Sequence, residues 1–290
     1  MDIDVIASDL PFPEGPAVDR EGRVHWVEIA GQRIARLADD GSVETFADTG
    51  GGPNGCAFAA DGWLYVCNNG GSWPRVASTE GRGKGPEGPP VLQRISPDGA
   101  TVETVLSEID GVALAGPNDC AFDADGGLWF TDPRWGGEPS SICYLGSDGT
   151  ALRAYTGVAF PNGIGVTDDN RFVIVCESMT GNLLGFRIEG PGRLGDPKPN
   201  GSIGRRSIPD GFCFDSAGRM IIAGHQTNAL FVLDAADGRP RKVVDLPDAG
   251  PTNCCFGGED FTTLYVTSSD VGELLAVEWD VPGMRLHPDR

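Results

Sequence analysis

The sequence predicts an all-β fold, a six-bladed β-propeller built from four-stranded antiparallel blades. Three observations predict it. First, 290 residues hold 43 glycines and 22 prolines, too many for a helical protein and without a collagen-like period. Such a chain reads as many short strands joined by turns. Second, one sequence unit recurs six times. Third, the apolar residues within each unit alternate with a period of two, as in a strand with two different faces.

The copies are "PEGPAVDREGRVHWVE" from Pro13, "PNGCAFAADGWLYVCN" from Pro53 and "PNDCAFDADGGLWFTD" from Pro117. "PNGIGVTDDNRFVIVCES" follows from Pro161, "PDGFCFDSAGRMIIAGH" from Pro209 and the weaker "TNCCFGGEDFTTLYVTS" from Thr252. They recur at roughly 40 to 50 residues, the second lengthened by residues 71–90. A period of that size with several strands per unit indicates a propeller. Each copy carries a polar residue near its start: Glu14, Asn54, Asn118, Asn162, Asp210 and Asn253. Three places on, an inner strand shows a small residue: Ala17, Ala57, Ala121, Gly165 or Cys213. A turn follows with Gly22, Gly62, Gly126, Asn170 or Gly218, whereas the sixth copy has Phe261 there.

Second strands are expected at "VHWVEI", "WLYVCN", "LWFTD", "FVIVCES", "MIIAGH" and "LYVTSS", and third strands at "RIARLA" and its counterparts. Outer strands fit "VETFAD", "VETVLS", "LRAYTG" and "KVVDLP", with that of the fourth unit placed near "SIGRRSI". The sixth unit runs out after three strands. The N-terminal "IDVIASD" is expected to supply its fourth and close the ring, which removes the exposed edges. One closed domain over residues 1–290 is expected.

The formal charge of −20 argues against a nucleic-acid partner, because phosphate binding needs a basic face. Most of that charge reads as solvated surface. No apolar run approaches the roughly 20 residues needed to span a bilayer. The start, "MDIDVIASDLPFPEG", lacks a basic segment and a long apolar one. The chain is therefore expected in the cytoplasm, as a monomer or weak homo-oligomer. There is no C-x-x-C pattern, and the eight cysteines read as small buried thiols.

In a blade the start of the inner strand and the end of the second lie on one face. Six repeats therefore bring the six polar residues toward one channel mouth. One Asn before a strand is ordinarily a turn residue, but six converging polar side chains need partners. Buried carboxylates are costly unless paired. The residues can hydrogen-bond one another across the axis, or share a metal ion. Glu14 and Asp210 would neutralise a divalent charge, and the amide oxygens of Asn118 and Asn162 suit calcium, magnesium or manganese. The ring has no imidazole, which argues against a dedicated zinc site.

"PEGP", "PNDCAFDADGGLWFTDP", "FPNGIGV" and "IPDGFCFDSAGRM" together resemble the gluconolactonase/senescence-marker-protein family, which includes regucalcin. The resemblance runs over nearly the whole chain. It implies a six-bladed propeller with one divalent metal ion on its axis, calcium first and zinc, manganese or magnesium as alternatives. Many members hydrolyse sugar lactones. Carried over by position, the ligands are Glu14, Asn118, Asn162 and Asp210, and Asp210 is also the favoured base toward water. Asp119 is the second candidate base, or else orients Asn118. Asn54, Asp119, Asp132, His225 and Asn253 are expected at the substrate, with water or a second, structural ion as alternatives for Asn54 and Asn253 and a structural rim role as the alternative for His225. Asn68, Asn69, Arg134, Glu177 and Ser269 are weaker rim candidates, and residues 71–90 are a candidate lid.

The resemblance implies a divalent-metal-dependent lactonase acting on a small lactone. The family often places a basic residue just before the first Asn ligand, where this chain has Gly116 and Pro117. That departure leaves the lactone class open. A phosphotriesterase-like hydrolase on the same metal site is the alternative reading, and a non-enzymatic metal- or ligand-binding propeller is another.

Overall fold

The computed structural model describes residues 2–71, 88–134, 139–234, 238–247 and 250–287. Six antiparallel sheets form the six blades expected, with each chain passage stepping outward from an inner strand. Blade 1 is Pro13–Val18, Val24–Glu28, Arg33–Leu37 and Val43–Asp48. Blade 2 is Pro53–Phe58, Leu64–Asn68, Val91–Ile95 and Val102–Leu106. Blade 3 is Cys120–Phe122, Leu128–Asp132, Ser140–Leu145 and Ala151–Val158, preceded by a short hairpin, Glu108–Ile109 with Val112–Ala113. Blade 5 is Pro209–Phe214, Met220–Gly224, Ala229–Leu233 and Pro240–Asp245.

Blade 4 departs from the expected placement. Its first three strands are Pro161–Val166, Phe172–Glu177 and Asn182–Gly190. The third is long enough to pair with two segments, Arg193–Leu194 near its end and Lys198–Ser202 along its body. The outer strand is therefore Lys198–Ser202, and "SIGRRSI" overlaps only its last residue. Blade 6 is Pro251–Gly257, Thr263–Ser268 and Glu273–Glu278, completed by Ile3–Ala7. That pairing sets Ile3 against Val277 and Val5 against Leu275, so the ring closes as the spare N-terminal segment implied.

The core is divided among the blades. Its six clusters of buried apolar residues pack largely at the seams between neighbouring blades. At the seam of blades 3 and 4, Trp129, Ile142, Ile164, Val173, Val175 and Phe186 are buried together. Each blade thus uses both faces, which explains the continuous apolar second strands such as "FVIVC".

The turns after the inner strands repeat one device. Asp19, Asp123 and Asp215 each accept hydrogen bonds from two backbone amides across the turn, as Asp123 does from Asp125 and Gly127 at 3.0 and 2.8 Å. Part of the acidic excess is thus committed to Asx-type turns rather than free surface. The turn needs a left-handed residue, supplied by Gly22, Gly62, Gly126, Asn170 and Gly218. Phe261, which breaks the sequence pattern, adopts the same conformation at φ 58. It is held there by packing on Phe256 and by Arg285, whose guanidinium lies 4.9 Å from its ring. All eight cysteines are free.

Candidate active site

The inner strands, and in blade 3 the segment leading into Cys120–Phe122, deliver six polar side chains to the axis, all buried: Glu14, Asn54, Asn118, Asn162, Asp210 and Asn253. The ring is tight because neighbouring backbones nearly touch. A Cβ on Gly15 would lie 2.5 Å from the Asn54 carbonyl, and one on Gly163 would overlap the Asp210 carbonyl. Gly55 and Gly211 occupy the same position, directly after the polar residue, in blades 2 and 5. Blade 3 has Asp119 there instead.

Asp119 is not paired with Asn118. Its carboxylate accepts from the Cys120 amide at 2.9 Å, the Ile164 amide at 3.4 Å and the Asn253 side chain at 3.4 Å. Blades 3 and 6 face each other across the ring, so the bond to Asn253 spans the axis and forms a floor. Below it a chamber of about 850 Å³ runs toward the opposite face. Its wall includes the small residues Ala17, Ala57, Ala121, Gly165 and Cys213, and residues Met284 to His287 line its far end.

The electrostatics of the ring are unfavourable without a cation. Burial, followed by the Asp210 and Asp119 carboxylates, holds the Glu14 carboxyl well above its ordinary pKa. Burial and then Asp119 raise Asp210, while a hydrogen bond from Asn162 acts in the opposite sense. Burial lifts Asp119 to about 6, against the pull of its three donors. The Asn118 amide is buried with neither its oxygen nor its nitrogen in a hydrogen bond. An unpartnered amide beside mutually repelling carboxyls, all hard oxygen donors, fits a divalent cation such as calcium. Among the described residues no three His, Cys, Asp or Glu side chains form a metal-binding group. A metal centre here would therefore need the amides as well as the acids.

These shifts give a stability signature in chelated protein. A carboxyl raised in the folded state contributes fully below its unfolded pKa of about 3.9, and the contribution is lost as pH rises through its folded value. For Asp119 that window runs from about 4 to about 6, equivalent to about 3 kcal/mol. Glu14 and Asp210 shift in the same direction. With EDTA present, Asp119→Asn is expected to gain in Tm on the wild type as pH rises from 4 to 7. A gap independent of pH would contradict it.

The profile described as "SMP-30/Gluconolactonase/LRE-like region" matches residues 12–270. The chain belongs to that family. Diisopropyl-fluorophosphatase from Loligo vulgaris is 27% identical, over 97% of this chain and 93% of the relative. Pentonolactonase XacC from Haloferax volcanii is 26% identical, over 91% of this chain and 84% of the relative. Among solved structures, a calcium-binding protein, regucalcin, from Agrobacterium tumefaciens superposes with a TM-score of 0.79 at 18% identity, covering 97% of this chain and 95% of that one.

Within this family member, the rim above the ring is tied down blade by blade. The first residue after the second strand donates its amide to the carbonyl just before the proline that opens the inner strand of the same blade. Ile29 bonds Phe12, Asn69 bonds Gly52, Ser178 bonds Phe160, His225 bonds Ile208 and Ser269 bonds Gly250, at 2.8 to 3.1 Å. Three of these acceptor residues, Phe12, Phe160 and Ile208, are left-handed, at φ 60, 62 and 50. A bulky residue costs about 1–3 kcal/mol in that region. They lead into Glu14, Asn162 and Asp210. A residue before proline is normally steered to extended conformations, so sequence signals pointed away from this strain.

His225 lies beside Asp210, with Nδ1 3.6 Å from Oδ2, too long for a hydrogen bond. Burial lowers its pKa; Asp270 and a hydrogen bond to the Pro251 backbone oppose the shift. Asp132, expected at the substrate, is placed differently. It is 0% exposed, and its carboxylate accepts from the Ala115 and Gly116 amides and from Arg153. It holds the chain rather than facing the mouth. Glu177 acts similarly, accepting from the Ala159 amide at 2.9 Å, and Asn68 from Gly52 at 2.8 Å. The candidate lid lies mostly outside the described residues.

Three hydroxyls that the sequence did not single out join neighbouring blades. Thr131 accepts from the Asp119 amide at 3.1 Å and donates to the Asn162 carbonyl at 2.9 Å. Ser178 donates to the Pro209 carbonyl at 2.7 Å, and Thr252 to the Pro13 carbonyl at 3.0 Å. Nothing in "WFTDP" or "PTNCC" separates such a hydroxyl from an ordinary strand threonine.

Proposed function

We propose that the protein is a divalent-metal-dependent hydrolase that opens the ring of a small lactone, sugar-derived or related. Family membership and relatives with hydrolase names support an enzyme. The observation that carries the metal is the buried ring, where Glu14 and Asp210 repel each other beside the unpartnered Asn118 amide. Glu14, Asn118, Asn162 and Asp210 would hold the ion, with calcium favoured by the all-oxygen donor set. Bound there, a divalent ion supplies polarisation of the ester carbonyl and acidification of water.

The chain's own residues supply the rest. Asp210 accepts the proton of the attacking water as its oxygen bonds to the carbonyl carbon. The ring C–O bond then breaks, and the departing oxygen takes up a proton to give a hydroxy acid. Asn162 donates to Asp210 and fixes its carboxylate. His225, its pKa lowered by burial, stands beside Asp210 on the rim and is the candidate for substrate contact. Asn54 completes the polar wall, and the Asp119–Asn253 floor separates the ring from the chamber below.

A second reading, hydrolysis of an organophosphate, is favoured by the nearly full-length relationship to diisopropyl-fluorophosphatase. Gly116 and Pro117 also replace the basic residue that a polyhydroxylated substrate would engage. One experiment separates the readings: a lactone panel and a fluorophosphate, assayed on native, chelated and calcium-reconstituted protein. Lactone turnover is expected to disappear on chelation and return with calcium. Lactone turnover that survives chelation unchanged sinks the proposal, and turnover of the fluorophosphate alone selects the second reading.

A further inference from the structure

Blade 3 is the exception on the rim. At the position where the other five blades offer a backbone amide to the loop before the ring residue, it has Pro133, which has no N–H. Asp132 takes over the task. Its Oδ1 accepts from the Ala115 and Gly116 amides, both at 2.8 Å. Its Oδ2 accepts from Arg153 Nη1 at 3.2 Å, and Arg153 Nη2 reaches the Val112 and Ala113 carbonyls at 3.0 and 3.3 Å. The outer strand Ala151–Val158 is thereby strutted, through one ion pair, to the loop that ends at Pro117–Asn118.

Asn118 is also the ring residue whose side chain has no hydrogen bond on either amide atom. Its backbone is held by the bonds from its amide to the Thr131 carbonyl and from Gly55 to its own carbonyl, at 2.9 and 2.6 Å. Among the described residues no hydrogen bond fixes the amide plane, so the path of the entering loop has the larger part in setting its direction. We infer that Asp132 and Arg153 are positioning residues that aim Asn118 at the divalent ion. The inference rests on the metal-site reading above. It gives Asp132 a different task from substrate contact, and gives Arg153, on the outermost of the blade's four strands, a part in the site.

The test uses the full chain, with calcium as the probe. Calcium affinity is measured by titration calorimetry, and amide exchange is followed at residues 112–118. Asp132→Ala and Arg153→Leu are expected to weaken calcium binding about 10–100-fold, the usual effect of losing a group that orients a ligand, and to speed exchange at 112–118. Arg153→Lys should restore part of the affinity. Arg219→Leu is the control, because it breaks a comparable pair to the fully buried Asp215 on the opposite face. It should lower Tm without moving the calcium Kd. If Arg153→Leu and Arg219→Leu both lower Tm and neither changes Kd, the strut is only structural and the inference falls. Should Asp132→Ala fail to fold, Arg153→Leu and its Lys rescue decide alone. Failure of the underlying reading shows separately, as a wild-type chain that binds no divalent ion.

Discussion

Asp210→Asn is expected to lower kcat for lactone hydrolysis about 10²–10⁴-fold, the range lost with a positioned general base. The substitution keeps the shape and one ligating oxygen but cannot accept the proton of water. Asp210 is buried, and its carboxyl is raised by burial and by Asp119. A bound cation would favour the ionised carboxylate, the form that can accept a proton from water. The calcium Kd of the variant separates the two roles. A large kcat loss with affinity within about tenfold of wild type assigns Asp210 as base as well as ligand. Normal affinity with undiminished turnover removes it from the mechanism.

Gly163→Ala is expected to cost about 3 kcal/mol or more, at the upper end for an overpacked site. The new methyl would overlap the Asp210 carbonyl and lie 2.8 Å from the Gly211 Cα. Both obstacles are backbone, so no side chain can swing away. Blades 4 and 5 must separate at the ring, and Asp210 moves with them. Activity should therefore fall together with Tm. Gly22→Ala provides the contrast. It sits at φ 82 with nothing within 4 Å of the added carbon, so it should cost only the left-handed backbone preference, about 1–2 kcal/mol, and leave the site intact. Equal effects on kcat/KM from the two variants would refute the packing argument.

The repeat made the fold legible, because every blade solves the same packing problem with the same order of residue types. The six ring residues were legible for the same reason. The small residues at Ala17, Ala57, Ala121, Gly165 and Cys213 stood out in the sequence, but their joint effect, an open chamber, appears only when six strands surround one axis. From the sequence Asp119 reads as a second candidate base, or as support for Asn118, because it is the next residue. The structure sends it under the axis to blades 4 and 6, through contacts 45 and 134 residues away in sequence. The bonds of Asp132 to the Ala115 and Gly116 amides are not legible in the sequence, because that task exists only where Pro133 has removed a backbone donor. Lys198–Ser202 is not legible because "KPNGS" has no strand character; its strand pairing comes from Asn182–Gly190.

The seam between Ile3–Ala7 and Glu273–Glu278 carries a consequence for synthesis. Ile3–Ala7 has no partner until the sixth blade has left the ribosome. Throughout translation it is an unpaired edge, open to the wrong strand of its own chain or of another. Its correct partner also demands the longest loop closure in the molecule, so this ladder is expected to form last. Until it does, blades 1 and 6 are not locked together, and the Thr252–Pro13 bond that steadies Glu14 has no fixed frame. A nascent chain would thus carry five finished blades and no working centre.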